Sequence, residues 1–488
     1  MVSRHGPRGG LIRTIEAGAG KAGLYLSGGV GQNRRTGFAD AAHQGPLSFP
    51  AAMPFPVAIR ALAHRNYRLF LAGQGISLIG TWMQQTGLAW LVYEMTESSF
   101  LLGLVAFCGQ IPAFFLAPIA GVLGDRFDRR RTLFVTQAVA MAQSTLLLAL
   151  TWFGHIEIWQ IIALSVVMGV SNAFDMPTRQ AFLVDMAPNR ADLPNAIALN
   201  SSMVNLSRLI GPFIGGLVIA ISGVEACFLI NAVSYVAVIA ALAAMRGLPI
   251  YPRPALAPMR KGLIEGFAYA FGFAPIRALL LMVGMVSLFG MPVITLLPVF
   301  AKDVFHGDSQ LFGNLAGASG VGSLTAALYL AWRKSVVGLG AVIAWAAAAF
   351  GGGMILFSLS PNVPMALAVL VLTGFSMMLL MASSNTLLQT IVEDDKRGRV
   401  MSLYTMAFMG TAPLGSLLAG TIAGALGAPM ASRLCGAACL AGAAAFTWRL
   451  PALRAQVLPI YQRAGLVPPV TAAVQSATEL TAPPQELA

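Results

Sequence analysis

The sequence has 488 residues, of which 57% are hydrophobic and 10% charged, against roughly 25% charged in an ordinary soluble domain. So few ionisable groups cannot cover a water-soluble fold of this size, which excludes a soluble enzyme, a disordered chain and a secreted disulfide scaffold. The 31 Lys and Arg against 19 Asp and Glu give a net charge of +12, which suggests either nucleic acid or basic loops beside a membrane.

Taken in chain order, residues 1 to about 55 are rich in Gly, Arg and Ala and hold no apolar run long enough for a cleaved signal peptide. They read as a disordered basic extension, which a natural start at Met53 would remove. Apolar segments then recur at about 69–92, 99–123, 132–153, 159–178, 197–222, 225–245, 278–300, 311–332, 336–358, 363–389, 402–427 and 430–449. Each is long enough to cross a bilayer, which takes about 20 residues. The predicted fold is an all-α membrane protein with twelve transmembrane helices in two pseudo-symmetric six-helix bundles, residues 60–246 and 278–450. Between them, residues 247–277 carry Pro249, Pro252, Pro254 and Pro258, then Arg260 and Lys261, and read as a cytoplasmic linker. Residues 451–488 read as a disordered cytoplasmic tail.

The charges orient these segments. Loops after predicted helices 1, 3, 5 and 9 hold no Lys or Arg, and those after helices 7 and 11 offer only Lys302 and Arg433. Every other basic residue except Arg208, which falls inside helix 5, lies on the opposite face. This asymmetry predicts both termini on the cytoplasmic side and leaves no basic domain for nucleic acid. The halves look related: helix 5 holds Gly211-Pro212-x-x-Gly215-Gly216, helix 11 holds Pro413-Leu-Gly415 and Gly420, and Gln180 and Gln389 precede the two entering loops.

No metal centre or cofactor is expected. Cys108, Cys227, Cys435 and Cys439 sit in apolar stretches without CxxC spacing and read as core thiols. His5, His43, His64, His155 and His306 lie in tails or loops, so no intramembrane ligand cluster exists for a metalloenzyme.

Between helices 2 and 3 the chain reads Gly121-Val-Leu-Gly-Asp125-Arg126-Phe-Asp-Arg129-Arg130-Arg131. This resembles the signature loop of the major facilitator superfamily, G-x-L-x-D-R-x-G-R-[RK], with Asp128 in place of the internal Gly. The resemblance implies that Asp125 contacts the cytoplasmic start of helix 11 near Ser402 and helps hold the outward-open state, with Gly121, Arg126 and Arg130 in the same gating loop. An anion at a helix N-terminus is favoured by about 0.3–2 kcal/mol. The competing reading makes the arginines a topology anchor alone. Further matches are Asn66-Tyr67-Arg68, Gly80-Thr81-Trp82-Met83-Gln84, Asp175-Met-Pro177-Thr-Arg179-Gln180, Leu193-Pro194-Asn195-Ala196 and Arg397-Gly-Arg399-Val-Met-Ser402. Together they resemble the enterobactin-exporter-like branch, which includes macrolide and drug efflux proteins, over about residues 60–450. Gly211, Pro212, Gly215 and Gly216 resemble the antiporter signature G-P-x-x-G-G, whose proline and glycines make a pliant, closely packed segment.

Three groups of polar residues fall inside the predicted spans. Arg208 lies near mid-bilayer, where a charge costs on the order of 3 kcal/mol or more. It suits an anionic substrate, proton coupling, or a structural ion pair with Asp175. Asp175 and Arg179 share a helix face at i,i+4 and serve either proton carriage or structural pairing. Helix 4 lacks the basic residue that many proton antiporters of the superfamily carry there. Gln74, Ser77, Thr81 and Gln84 of helix 1, with Asn205, Asn231 and Asn385, are expected to face a central cavity or to tie helices together.

The resulting expectation is a proton-coupled exporter of a siderophore-like or drug-like molecule in the bacterial inner membrane. It would be a monomer working by alternating access, with a small-molecule substrate, protons and lipid as its partners. Uptake of a nutrient by the same fold, or a non-transporting sensor or assembly factor, are the alternatives.

Overall fold

The computed structural model describes residues 59–124, 127–186, 192–247, 259–333 and 335–467, all within the unit Phe55–Ala488. The basic extension of residues 1–55, Asp125, Arg126 and the tail beyond residue 467 lie outside the described residues. Described elements are helical throughout. The first six long helices are α1 (Arg65–Thr96), α2 (Ser99–Gly124), α3 (Arg129–Trp152), α4 (Ile158–Met186), α5 (Leu193–Ser222) and α6 (Val224–Ala244). After α7 (Met259–Gly272) come α8 (Ala274–Gly290), α9 (Pro292–Val299), a π turn at Phe300–Val304, α10 (Ser309–Trp332), α11 (Leu339–Ser358), α12 (Val363–Ile391), α13 (Arg397–Met409), α14 (Thr411–Leu426) and α15 (Ala428–Arg463).

Local chemistry sets the helix ends. Asp128, Asp308 and Asn362 accept the backbone N–H three residues on, at 2.8, 3.0 and 3.0 Å, each removing one orphan donor from a helix N-terminus. Only Gly223 separates α5 from α6, at φ +81°, and only Gly427 separates α14 from α15, at φ +84°. These matched one-residue turns need the left-handed backbone that favours glycine. They fall at corresponding places in the two halves.

In the first half, α1 packs between α5 and α6, α3 against α4 and α6, and α2 against α4. In the second, α12 packs against α10 and α11, and α15 against α11 and α8. The halves meet where α5 crosses α10 and where α2 crosses α14.

Eleven helical segments among the described residues are long and apolar enough to cross a membrane. One is the composite Ala274–Val304, where Met291 keeps helical angles across the α8–α9 junction, and another joins α13 to α14 through Gly410. The 32-residue α1, about 48 Å long, is not among the eleven; Gln74, Ser77, Thr81, Gln84 and Gln85 lower its apolarity.

One expectation is corrected, and the linker gains a helix. The tail read as disordered from residue 451 is helical to Arg463, through Pro451 and Pro459, because Leu453 and Val457 are buried in the core. The linker of residues 247–277 contains α7, which docks on the start of α13. Arg399 bonds Glu265 at 2.9 Å, and the Lys396 ammonium lies 4.5 Å from the Tyr269 ring centre.

Candidate functional site

The polar stripe of α1 turns into the first half rather than onto a cavity. Gln84 Nε2 donates to Gln143 Oε1 at 3.0 Å, Asn231 Nδ2 donates to Gln84 Oε1 at 2.7 Å, and Ser144 donates to the same Gln84 oxygen. Gln74, Ser77, Gln84 and Asn231 are all buried. Thr81, half-buried, shares a hydrogen bond of 3.3 Å with the Tyr235 hydroxyl. The cavity expectation is therefore corrected for Gln84 and Asn231, whose amides are spent on one another and on α3, while Gln74 and Ser77 are buried in the same helix. Asn205 and Asn385 are half-buried. Asn205 donates to Ser201 O at 2.9 Å, and Asn385 accepts from Gln389.

A second network surrounds Asp175 of α4. Its carboxylate accepts from Thr136 Oγ1 at 3.0 Å and Gln137 Nε2 at 2.8 Å, and pairs with Arg179 at 3.3 Å. Three partners, two of them on α3, satisfy a buried carboxylate. This is the pairing predicted from the i,i+4 spacing; Arg208 is not involved.

Arg208 stands apart. Its guanidinium lies 5.5 Å from the Trp82 ring centre, and among the described residues no carboxylate comes within ion-pair reach. A cation over an indole face gains about 0.5–2 kcal/mol, well short of neutralisation. Its Trp82 partner sits three positions from Ile79, whose carbonyl faces Gly211, so the Arg208 region belongs to the α1–α5 seam.

The Gly-Pro signature of α5 serves two neighbours. Gly211 and Gly215, four apart, receive α1: a Cβ built on Gly215 would lie 3.2 Å from Met83 Cα. Pro212 and Gly216 receive α10: a Cβ on Gly216 would lie 2.5 Å from Ser309 O and 2.7 Å from Gly313 Cα, and one on Gly313 would lie 2.8 Å from Pro212 O. The crossing of α2 and α14 repeats the device with Gly103 and Gly420; a Cβ on Gly420 would lie 2.7 Å from Ser99 O and 3.0 Å from Gly103 Cα. Both crossings lie toward the face remote from the basic loops. On that face Tyr93 donates to Asp303, and Lys302 pairs with Glu97 at 3.0 Å. Glu97 has φ +46° and His306 φ +52°, so residues on both sides of this latch hold a left-handed backbone that non-glycine residues seldom adopt. The halves are closed together on the remote face.

The basic face is braced within the first half. Arg129 bonds both oxygens of Asp185 at 2.8 and 3.0 Å, Arg130 donates to the carbonyls of Leu242 and Ala243 at 2.8 and 3.0 Å, and Asp192 pairs with Arg60 and His64, each at 3.0 Å. Of the signature loop, Gly121 lies in α2; the gating expectation for Asp125 and Arg126 falls outside the described residues.

The sequence assigned no site role to Trp82, Tyr93, Asp303, Glu97, Lys302 or the α10 glycines that face α5, whereas Gly420, which faces α2, stood out within the repeat. The Gly313-x3-Gly317-x2-Gly320 run of α10 was a legible small-residue stripe; the pairing of residues 93 and 303 left no local signal. Among the described residues no group of His, Cys, Asp or Glu has the arrangement of a metal site.

Two halves of membrane helices joined at two crossings on one face define a transporter of the major facilitator type. The chain belongs to the family described as transmembrane secretion effectors, whose model matches residues 57–476. It is similar to the staphyloferrin A transporter of Staphylococcus aureus, at 29% identity over 72% of this chain and 88% of that protein. It is also similar to the multidrug efflux pump Tap of Mycolicibacterium fortuitum, at 26% identity over 73% and 87%. The fold matches the crystal structure of the nucleoside transporter NupG with a TM-score of 0.64, covering 79% of this chain and 98% of that one at 12% identity. These relatives are transporters, not enzymes, and so is this protein.

Proposed function

We propose that the protein is a secondary active exporter of a small anionic or amphipathic organic molecule, siderophore-like or drug-like, driven by proton antiport. The observation that carries this reading is Arg208: a cation inside a membrane helix, stacked on Trp82 and without a carboxylate partner among the described residues. A half-buried cation left in this condition suits a transient anionic ligand better than a permanent structural pair. The name of the relative from Mycolicibacterium fortuitum, a multidrug efflux pump, points the same way on direction, and that of the staphyloferrin A transporter supports a siderophore-like cargo.

In this reading α1 is the twelfth span, residues 60–246 and 278–450 are the two bundles, and both chain ends lie in the cytoplasm of a bacterial inner membrane. The closed face is then extracytoplasmic, and the conformation is the one that loads substrate from inside. Asp175 with Arg179 is the proton-coupling candidate, Asp125 gates against the start of α13, and the Gly-Pro segment of α5 works with α10 as the bundles rock. The transporter acts as a monomer without nucleic acid.

The test compares medium and cell extracts of a deletion strain and its parent by untargeted mass spectrometry, in iron-poor and iron-rich culture. A compound retained inside the mutant and absent from its medium is expected. A compound missing from mutant cells but left in the medium would reverse the direction to uptake.

A further inference from the structure

Between α3 and α4 lies a groove of about 660 Å³, lined by Val135, Val139, Val166, Val167, Val170 and Phe174, with Asp128, Arg131 and Thr132 at its basic-face end. This is within the roughly 300–1,000 Å³ of small-molecule sites. No residue of the second half contributes to it. Its valines are exposed, Val135 by 60%, although both helices are membrane spans, so the groove opens to the bilayer.

The three arginines that open α3 have different fates. Arg129 is committed to Asp185 and Arg130 to the end of α6. Arg131 is exposed, and among the described residues no carboxylate lies within ion-pair distance of its side chain. The neighbouring Asp128 carboxylate is turned into the helix cap, accepting the Arg131 backbone N–H. The groove floor offers no free donor: Thr136 Oγ1 donates to Asp175 at 3.0 Å, and Ser171 Oγ donates to Thr136 O at 3.0 Å. A cation at the headgroup end and an apolar, hydrogen-bond-silent trough running toward mid-membrane match one kind of molecule.

We propose that this groove is a binding site for one glycerophospholipid, with an acyl chain along the valines and the phosphate on Arg131. Guanidinium and phosphate pair through parallel charge-assisted hydrogen bonds, and a chain in the trough supplies the dispersion contacts that an unfilled concavity forfeits. The site also has a consequence for the interior. Thr136 and Ser171 form the floor, so the bound chain seals the Asp175 network from the membrane side.

The test is native mass spectrometry of the full chain purified in mild detergent from vesicles of phosphatidylglycerol and phosphatidylethanolamine, with dioleoylglycerol as the headgroup-free competitor. One retained phospholipid per protein is expected. Arg131→Gln should lower retention roughly tenfold, the effect of losing one charge-assisted hydrogen bond. Val139→Trp with Val167→Trp should abolish it by filling the trough. Val233→Trp, at a position of α6 that is likewise 60% exposed, should leave retention unchanged and controls for general disturbance of the lipid-facing surface. Unchanged retention in the filled variant, equal retention of dioleoylglycerol, or a lipid-free wild type would each overturn the proposal.

Discussion

Substituting Gly216 with alanine tests the closed face directly. The added methyl would stand 2.5 Å from Ser309 O and 2.7 Å from Gly313 Cα, and both neighbours are backbone atoms of α10 that no rotamer change can move. Overpacking of this kind costs about 1–3 kcal/mol. The cost falls on the state in which α5 and α10 touch and not on one in which they part, so it acts as a bias on the conformational equilibrium. A bias of that size corresponds to about a 5–150-fold shift toward opening of the remote face. Ser99 is 7% exposed at the second crossing. In a background without the four native cysteines, Ser99→Cys should react with a membrane-impermeant maleimide faster by that factor when Gly216→Ala is added. The control is Gly424→Ala, whose Cβ would meet nothing nearer than 3.9 Å and should leave labelling unchanged. Equal labelling in Gly216→Ala and its parent, with expression intact, would refute the idea that this glycine contact sets the closed state.

Arg208→Ala should abolish or strongly reduce flux in proteoliposomes while leaving membrane insertion and thermal stability intact; undiminished flux would remove its substrate role. Tyr93→Phe and Asp303→Asn should each raise labelling at Ser99→Cys, because hydrogen bonds to charged groups are worth about 1.5–3 kcal/mol, and the double variant should add little to either single one. Asp125→Asn should change the balance of cysteine accessibility between the two faces, and an unaltered pattern would remove its gating role. Gln84→Ala should lower the melting temperature, since it strands buried groups of Gln143, Asn231 and Ser144 at about 1–3 kcal/mol each.

Position in the chain was informative wherever one helix face was at issue. The Asp175–Arg179 pair follows from i,i+4 spacing. The glycines of α5 were readable as close-packing sites, but the division of labour between Gly211 with Gly215 and Pro212 with Gly216 required knowing that α1 and α10 lie on adjacent sides of one helix. The helix beyond Pro451 was missed because proline weakens a helix locally, whereas burial of Leu453 and Val457 supplies stabilisation that no local rule counts.

The sequence by itself determined the membrane class, the rhythm of apolar segments and the one-sided distribution of basic residues, because a bilayer imposes length and charge rules on each segment independently. Tertiary structure alone decided which polar residues are spent inside a bundle and which remain available. Gln84 and Arg208 look alike as polar interruptions of apolar helices. One meets three partners from α3 and α6, and the other lies over an indole ring with no carboxylate partner among the described residues. That difference depends on contacts between residues as far as 147 positions apart, and it leaves Arg208 with a charge that no carboxylate among the described residues neutralises.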